Sequence, residues 1–378
     1  MSETEKLLED DKDDVELESA YNINNIDNNN MHFEVKSRSL RLVYFLTKIV
    51  IKIIFNFWKL CTSSVLMMLL LCWAYGGVIP IIILISAVLG ILYSMQDYLL
   101  YYPEQPPSAR LYVDMPSLMN MPYESHFVKT KDGERINMVL VKHNQTTAPT
   151  VIFFHGNAGN IGHRLPNTYG LYSGCGCNVL LVEYRGYGRS EGTPSESGLY
   201  LDAEAAMDFI LQRTDIDRNK IFLFGRSLGG AVSIHLAANT YYSQYLAGLI
   251  LENTFTSLPD IGRKLFDFKI LDLLPEWCFK NKYPSKIKIQ KIKIPTLFLS
   301  GQMDSLIPPR MMQILHSLSP SHQKKIVHFP DGTHNETWTC PGYYESIARF
   351  IIEILSSRIQ ESFPETNPNS SKLNHIIS

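Results

Sequence analysis

Apolar residues are distributed along this chain in three patterns, and each pattern predicts a different kind of structure. The first is a nearly continuous apolar run from Val65 to Leu92. A run of this length exceeds the roughly 20 residues that span a bilayer, and it lies too far from the N-terminus for a cleaved signal peptide. We therefore predict one transmembrane anchor over residues 63–95.

The second pattern is amphipathic and comes just before this run. Arg41, Lys48, Lys52 and Lys59 are spaced so that they share one face of a helix, and apolar residues fill the remaining face. A basic helix of this kind over residues 41–62 is suited to lying on an anionic membrane surface. The alternative is a second membrane span, which would invert the topology.

The third pattern, over residues 108–356, alternates short apolar strands with helical segments. It opens with an antiparallel hairpin at Asp132 and Gly133. Further strands are predicted near positions 150, 178, 221, 247, 294 and 325. Such alternation predicts an α/β fold whose mostly parallel sheet is covered by helices on both faces, with ligand chemistry at the carboxyl ends of its strands.

Composition agrees with one globular domain plus an anchor. Of 378 residues, 45% are hydrophobic and 19% are charged, and the net charge of −2 gives no sign of a nucleic-acid partner. The six cysteines form no C-x-x-C pair or zinc-type cluster, so no metal or cofactor is implied. Residues 1–40, which are acidic and then Asn-rich, predict a disordered tail, and a second tail is predicted over 357–378.

The most specific motif joins one of the predicted strands to a helix. Apolar residues 221–224 lead into Gly225-x-Ser227-x-Gly229, and a helical segment follows from Ala231. This is the strand, sharp turn and helix of a nucleophile elbow, in which the serine oxygen stands above the sheet edge. Because the turn is too tight for side chains on either side, the glycines fit it. Ser227 is the predicted nucleophile.

A serine hydroxyl needs an imidazole to take its proton and a carboxylate to orient that imidazole. In folds with this elbow the acid and then the base follow the serine along the chain. Asp304 follows the apolar strand 294–300, and His334 lies in the loop after strand 325–329. Asp331 is a rival acid, but its P-D-G context in the base's own loop is more typical of a turn.

Acyl transfer also needs donors for the oxyanion that develops in the transition state. One predicted donor is the backbone N–H of Leu228, the residue after the nucleophile. The second is the backbone N–H of Asn157, which follows His155-Gly156 in the loop after strand 150–154.

These motifs in combination resemble the Bem46 branch of the α/β-hydrolase superfamily, most closely the alpha/beta hydrolase domain-containing protein 13 group. The matching segments are H-G-N-A-G-N-I-G-H-R, E-Y-R-G-Y-G-R-S, F-G-R-S-L-G-G-A, E-N-T-F and F-P-D-G-T-H-N, within Ile91 to Ile354. The resemblance implies an α/β-hydrolase fold and a serine hydrolase with one N-terminal membrane helix. It also implies that Ser227, Asp304 and His334 occupy the triad positions.

The function predicted from these features is a membrane-anchored serine esterase or thioesterase acting on a lipid or acylated substrate. An apolar, Lys-rich insert over residues 258–293 predicts a short lid that shelters an acyl chain, or else an ordinary crossover helix. The resemblance implies that relatives in the wider branch include enzymes that remove fatty acyl groups from cysteine, so an acyl-protein thioesterase is one alternative. A serine peptidase is another, since a triad does not distinguish esters from amides, and an inactive hydrolase-fold scaffold is the non-enzyme alternative.

Charge around the anchor predicts its orientation. Cations precede the apolar run, whereas residues 93–105 contain no Lys or Arg. The positive-inside rule then predicts a single-pass type II protein of the endomembranes or plasma membrane, with its hydrolase domain lumenal or extracellular. Asn144, Asn335 and Asn369 begin N-glycosylation sequences. Asn335 adjoins the predicted base, so we expect Asn144 to be the acceptor in use.

Overall fold

The computed structural model describes residue 51 and residues 58–60, 62–266 and 275–362. The predicted tail over 1–40 lies outside these residues, as do Arg41, Lys48 and Lys52 of the predicted basic helix. The chain divides into two units, residues 1–89 and residues 90–378. The predicted hydrolase domain, residues 108–356, lies within the second unit, which is called the hydrolase unit below.

The apolar run, predicted as one helix, is interrupted at its pair of glycines. Helical residues end at Tyr75, Gly76 has a φ of 71°, and helix α1 begins at Val78 and ends at Leu100. A positive φ is open to glycine and ends a right-handed helix. By length and composition, Trp58–Tyr75 and Ile79–Leu100 are each apolar enough to cross a membrane, so the described residues hold two candidate spans.

The second unit is built around an eight-stranded sheet. Its strands are β1 (Tyr123–Lys129), β2 (Arg135–Val141), β3 (Thr150–Phe154), β4 (Asn178–Val182), β5 (Ile221–Arg226), β6 (Leu246–Glu252), β7 (Thr296–Gly301) and β8 (Lys324–Phe329). Their spatial order is β1-β2-β4-β3-β5-β6-β7-β8. The first two strands form the predicted hairpin, and from β4 to β8 all pairs are parallel. The predicted mostly parallel sheet is confirmed.

Helices cover both faces of this sheet. After α1 they are α2 (Leu165–Tyr169), α3 (Glu196–Gln212), α4 (Leu228–Ala238), α5 (Thr240–Ser243), α6 (Leu258–Phe266), α7 (Ser285–Lys288), α8 (Pro309–Leu318) and α9 (Tyr343–Ser362). Alternate residues of β5 point to opposite faces: Leu223 packs in the cluster that holds α3, α4 and α8, and Phe224 in the cluster that holds α2 and α9. A sheet with helices on both faces buries both sides of its strands.

The last helix extends past the predicted end of the domain. Helix α9 continues to Ser362, past the predicted domain end at residue 356. Arg358 explains part of this extension, because its guanidinium donates to the backbone oxygens of Asn219 at 2.9 Å and Leu246 at 2.8 Å. Within the predicted lid, residues 258–266 and 285–288 are helical, and residues 267–274 lie outside the described residues.

Candidate active site

The predicted nucleophile lies at the sharp turn between β5 and α4. Ser227 has a φ of 54° and a ψ of −119°, a strained conformation for a residue with a side chain. The flanking glycines are required by close contacts. A Cβ on Gly229 would lie 2.0 Å from the Phe154 oxygen, and one on Gly225 would lie 2.3 Å from the Ser233 hydroxyl. This is the crowding that the motif predicts for a nucleophile elbow.

The structure brings the three predicted triad residues into one hydrogen-bonded chain. His334 Nε2 lies 3.1 Å from Ser227 Oγ, and His334 Nδ1 lies 2.7 Å from Asp304 Oδ2. The serine and the histidine are 107 residues apart in sequence, and their contact depends on β5 and β8 ending at the same edge of the sheet. These distances suit a nucleophile, a general base and the carboxylate that orients the base.

The carboxylate of Asp304 is held from both sides. Its Oδ1 atom accepts hydrogen bonds from the backbone N–H groups of Leu306 at 2.9 Å and Ile307 at 2.8 Å, while Oδ2 faces the imidazole. Only 1% of its side-chain surface is exposed. Because a carboxylate at Nδ1 fixes the tautomer that leaves Nε2 as an acceptor, this arrangement prepares His334 to take a proton. The rival acid, Asp331, is exposed in a turn.

Two residues outside the predicted site, Arg226 and Asn253, hold the loop that carries His334. This loop, residues 330–336, is called the base loop. Arg226 Nη2 donates to the backbone oxygen of His334 and to the side-chain oxygen of Asn335, each at 2.8 Å. Asn253, after β6, donates to the backbone oxygen of Thr333 at 3.1 Å and accepts from the Gly301 N–H at 2.8 Å. Both residues stand in motifs that carried the family resemblance, F-G-R-S and E-N-T-F, which was the available signal for them.

A buried carboxylate lies behind this loop. Glu252, the last residue of β6, is fully buried; its Oε2 accepts a hydrogen bond from Tyr343 at 2.8 Å, and its Oε1 is 3.9 Å from Arg226 Nε. Burial raises the pKa of Glu252, and the guanidinium of Arg226 is the charge that opposes this rise most strongly. Arg226 therefore has two roles: its guanidinium hydrogen-bonds the base loop, and it faces the buried carboxylate of Glu252.

The two predicted oxyanion donors flank the serine. Leu228 is the first residue of α4, and Asn157 lies in the loop after β3, the strand that pairs with β5. A Cβ added to Gly156 would be 3.7 Å from the Ser227 Cβ, so this loop passes directly beside the nucleophile. Neither backbone N–H has a hydrogen-bond acceptor among the residues that the structure describes. Among these residues, neither N–H is committed to another hydrogen bond, as an oxyanion donor requires.

The predicted glycosylation sites differ in their surroundings. Asn144 is exposed in the loop between β2 and β3, whereas the side-chain oxygen of Asn335 accepts from Arg226. Asn369 lies outside the described residues. Within the described part of the chain, no three His, Cys, Asp or Glu side chains are grouped as metal ligands would be.

Comparisons with known proteins agree on the fold. The sequence model of the alpha/beta hydrolase fold matches residues 149–287. Protein bem46 of Schizosaccharomyces pombe is 38% identical over 282 residues, which are 74% of this chain and 93% of that protein. An uncharacterized membrane protein of Saccharomyces cerevisiae is 36% identical over 263 residues, 69% of this chain and 90% of that protein. The solved esterase Pf2001 of Pyrococcus furiosus is similar in fold, with a TM-score of 0.53, 15% identity and coverage of 64% of this chain and 97% of that one.

Proposed function

Since the chain belongs to the Bem46 branch of the α/β-hydrolase family, we propose that it is a membrane-anchored serine hydrolase that cleaves an ester or thioester. The observation that carries this proposal is the chain of hydrogen bonds from Ser227 through His334 to Asp304, at 3.1 Å and 2.7 Å. Strained serine geometry and two backbone N–H groups beside it that have no other acceptor among the described residues support the same reaction.

The proposed mechanism has two halves. Ser227 Oγ attacks the substrate carbonyl carbon while His334 Nε2 takes the hydroxyl proton, and Asp304 stabilises the imidazolium that forms. The carbonyl oxygen becomes an oxyanion that accepts from the N–H groups of Asn157 and Leu228. Collapse of this tetrahedral intermediate breaks the bond to the alcohol or thiol, which leaves with the proton from His334, and an acyl-enzyme remains on Ser227. Water, activated by the same imidazole, then hydrolyses the acyl-enzyme and restores the serine.

The surface beside the site supports an apolar acyl group in the substrate. Met303 and Leu306 flank the acid and are 61% and 43% exposed, although large apolar side chains are usually buried. Apolar surface next to a nucleophile can lower the free energy of a bound hydrocarbon chain by removing it from water. An acyl lipid or an acylated protein is therefore the substrate class that we propose.

Membrane attachment is the second part of the proposal. The candidate spans Trp58–Tyr75 and Ile79–Leu100 support it, and so does the excess of Lys and Arg before them. We propose that only one of these two helices crosses the membrane, in a type II arrangement with the hydrolase unit on the lumenal or extracellular side. Asn144, exposed in its loop, would then be available to the glycosylation machinery.

The test of the reaction is labelling of the full-length protein with a fluorophosphonate, followed by turnover of acyl esters and thioesters of graded chain length. We expect Ser227→Ala to abolish labelling. Ser233→Ala is the matched control, because this serine is on the next turn of α4 and its buried hydroxyl only donates to the Gly229 oxygen; labelling should persist.

A second variant tests the base. His334→Ala should reduce ester hydrolysis by several orders of magnitude, since the serine then has no proton acceptor. The proposal is wrong if Ser227→Ala is still labelled, or if His334→Ala retains more than about a tenth of the activity.

A further inference from the structure

The end of α1 is part of the hydrolase unit rather than a free linker to it. The boundary between the two units falls at residues 89 and 90, so the last turns of α1 belong with the sheet. Met95 and Tyr101 are 3% and 4% exposed. Tyr101 also makes a side-chain hydrogen bond of 2.7 Å with Tyr283. The segment between the predicted anchor and domain is thus packed against the catalytic fold.

The end of α1 and the residues after it make two hydrogen bonds to Asn157, which lies in the loop after β3. This loop, residues 155–160, is called the oxyanion loop. The side-chain amide of Asn157 donates to the backbone oxygen of Leu100 at 2.9 Å, and the backbone N–H of Tyr102 donates to the backbone oxygen of Asn157, also at 2.9 Å. Tyr102 and Ala158 form an isolated parallel β-bridge. The loop after β3 is therefore tied to the chain that leaves α1.

Two further contacts fix the peptide groups on either side of Asn157. Tyr187 donates to the Asn157 oxygen at 2.8 Å. His155 Nδ1 donates to the Gly156 oxygen at 2.7 Å. In a trans peptide the carbonyl and the following N–H point in opposite directions, so fixing the Gly156 carbonyl also fixes the direction of the Asn157 N–H. This N–H is the one that the proposed mechanism uses.

We propose that the Asn157 side chain is a positioning group that, by donating to Leu100 at the end of α1, holds the oxyanion donor in place. The C-terminal end of α1, from residue 90 onward, is then a structural part of the catalytic centre. This inference rests on the proposed function, because only acyl transfer requires an oxyanion donor. It adds that displacement of α1 lowers catalysis without any change in the triad.

The same helix end supplies a matched control. Gln96 Nε2 donates to the Cys278 oxygen at 2.8 Å, and Gln96 Oε1 accepts from the Lys280 N–H at 2.8 Å. Like Asn157, Gln96 joins α1 to another segment through a side-chain amide. Its partners lie in the insert between β6 and β7 and, among the residues that the structure describes, make no hydrogen bond to the loop after β3. Loss of Gln96 therefore costs similar hydrogen bonds without disturbing the proposed donor.

The experiment compares Asn157→Ala, Asn157→Asp and Gln96→Ala in the full-length detergent-solubilised protein. Asn157→Asp keeps the shape of the side chain but has no N–H to donate. With a short soluble nitrophenyl ester, we expect both Asn157 variants to lower kcat by about 10 to 100-fold at nearly constant KM, since losing an oxyanion donor costs about 10² to 10³. The inhibition constant of an alkyl boronic acid, whose serine adduct carries an oxyanion, should rise in parallel.

Gln96→Ala should leave kcat within about twofold, even if its thermal midpoint falls as far as that of the Asn157 variants. The inference is overturned if Asn157→Asp keeps the parental kcat, if the loss appears only in KM, or if Gln96→Ala loses as much. Fluorophosphonate labelling separates this failure from failure of the proposed function. If Ser227 is labelled at the parental rate in all three variants, the positioning role of Asn157 is contradicted and the proposed reaction is not. If labelling survives Ser227→Ala, the proposed reaction itself is contradicted.

Discussion

At the residue scale, the conformation of Ser227 depends on its neighbours in space. A positive φ in a residue with a side chain costs on the order of 1 to 3 kcal/mol and persists only where contacts hold it. Here the Ser227 N–H donates to the backbone oxygen of Glu252 at 2.9 Å, and the Thr254 hydroxyl donates to the backbone oxygen of Ser227 at 2.7 Å. The end of β6 thus holds the elbow.

Arg226 gives the residue-scale prediction. Arg226→Lys keeps a cation near Glu252, but a single ammonium does not reproduce the planar guanidinium that reaches both the His334 oxygen and Asn335. We expect kcat for a soluble ester to fall about tenfold while KM stays nearly constant, because a small displacement of a catalytic group has a large effect on rate. Steady-state kinetics on the purified full-length protein measure both quantities.

Arg185→Lys is the control for this prediction. Arg185 is also buried, at 4% exposure, but it bonds the carboxylates of Asp132 and Asp202 instead of the base loop. Its replacement should lower the thermal midpoint and leave kcat within about twofold. Equal losses of kcat in the two variants would show that Arg226 acts only through stability.

At the element scale, a titratable contact joins three helices. The ring of His235 on α4 stacks on Tyr200 of α3 at a centroid distance of 3.5 Å, and its Nδ1 lies 2.7 Å from the ammonium of Lys288 on α7. An ammonium only donates, so Nδ1 is the acceptor and the ring is neutral. Burial, followed by the charge of Lys288, lowers the pKa of His235 to about 4. The carboxylate of Glu196 accepts from the Tyr200 hydroxyl on the other side of this contact.

This contact predicts a pH dependence of stability. Between the ordinary histidine pKa of 6.5 and the folded value of about 4, the unfolded chain binds a proton that the folded chain excludes. The contribution of His235 to the free energy of unfolding is therefore complete above 6.5 and is lost as the pH falls towards 4. Denaturant unfolding at a series of pH values should show this loss, and His235→Phe, which cannot titrate, should reduce it. An exposed histidine, His322, provides the control variant His322→Phe, whose pH profile should match that of the parent. An unchanged slope in His235→Phe would contradict the assignment.

At the scale of the whole molecule, the sites that a glycan could occupy depend on topology. If the hydrolase unit is lumenal or extracellular, Asn144 is exposed to oligosaccharide transfer, while the Asn335 oxygen bonds Arg226 beside the base. The number of candidate spans that cross the membrane decides which side the hydrolase unit faces, because a chain that crosses twice returns to the side from which it started.

Glycosidase treatment of the protein from eukaryotic cells tests this arrangement. We expect a shift in electrophoretic mobility that Asn144→Gln largely removes, and protection of the hydrolase unit from protease added to sealed microsomes. Asn335→Gln should leave the mobility shift in place. Digestion of the unit that contains Ser227 would instead place it in the cytosol, where acylated cytosolic proteins would be the better substrate class.

The sequence by itself determined the fold class and the chain order of the proposed nucleophile, acid and base. These depend on local properties: the period of apolar residues selects strand or helix, and the glycines around Ser227 permit a turn that few other residues can form. The carboxyl ends of parallel strands meet at one edge of a sheet, so the ordered loops already indicated that Ser227, Asp304 and His334 would lie close together.

Tertiary structure alone decided which groups hold those residues in place. Asn157 and Leu100 are 57 residues apart, and Arg226 and Asn335 are 109 apart; neither contact has a local pattern. Gly76 is visible in the sequence as a possible breaker of the apolar run, but only the structure shows that the helix ends there, because hydropathy measures apolar content and is insensitive to backbone direction. Such contacts arise only when the packing of the sheet and its helices brings distant segments together, and hydrogen-bond geometry then selects among them.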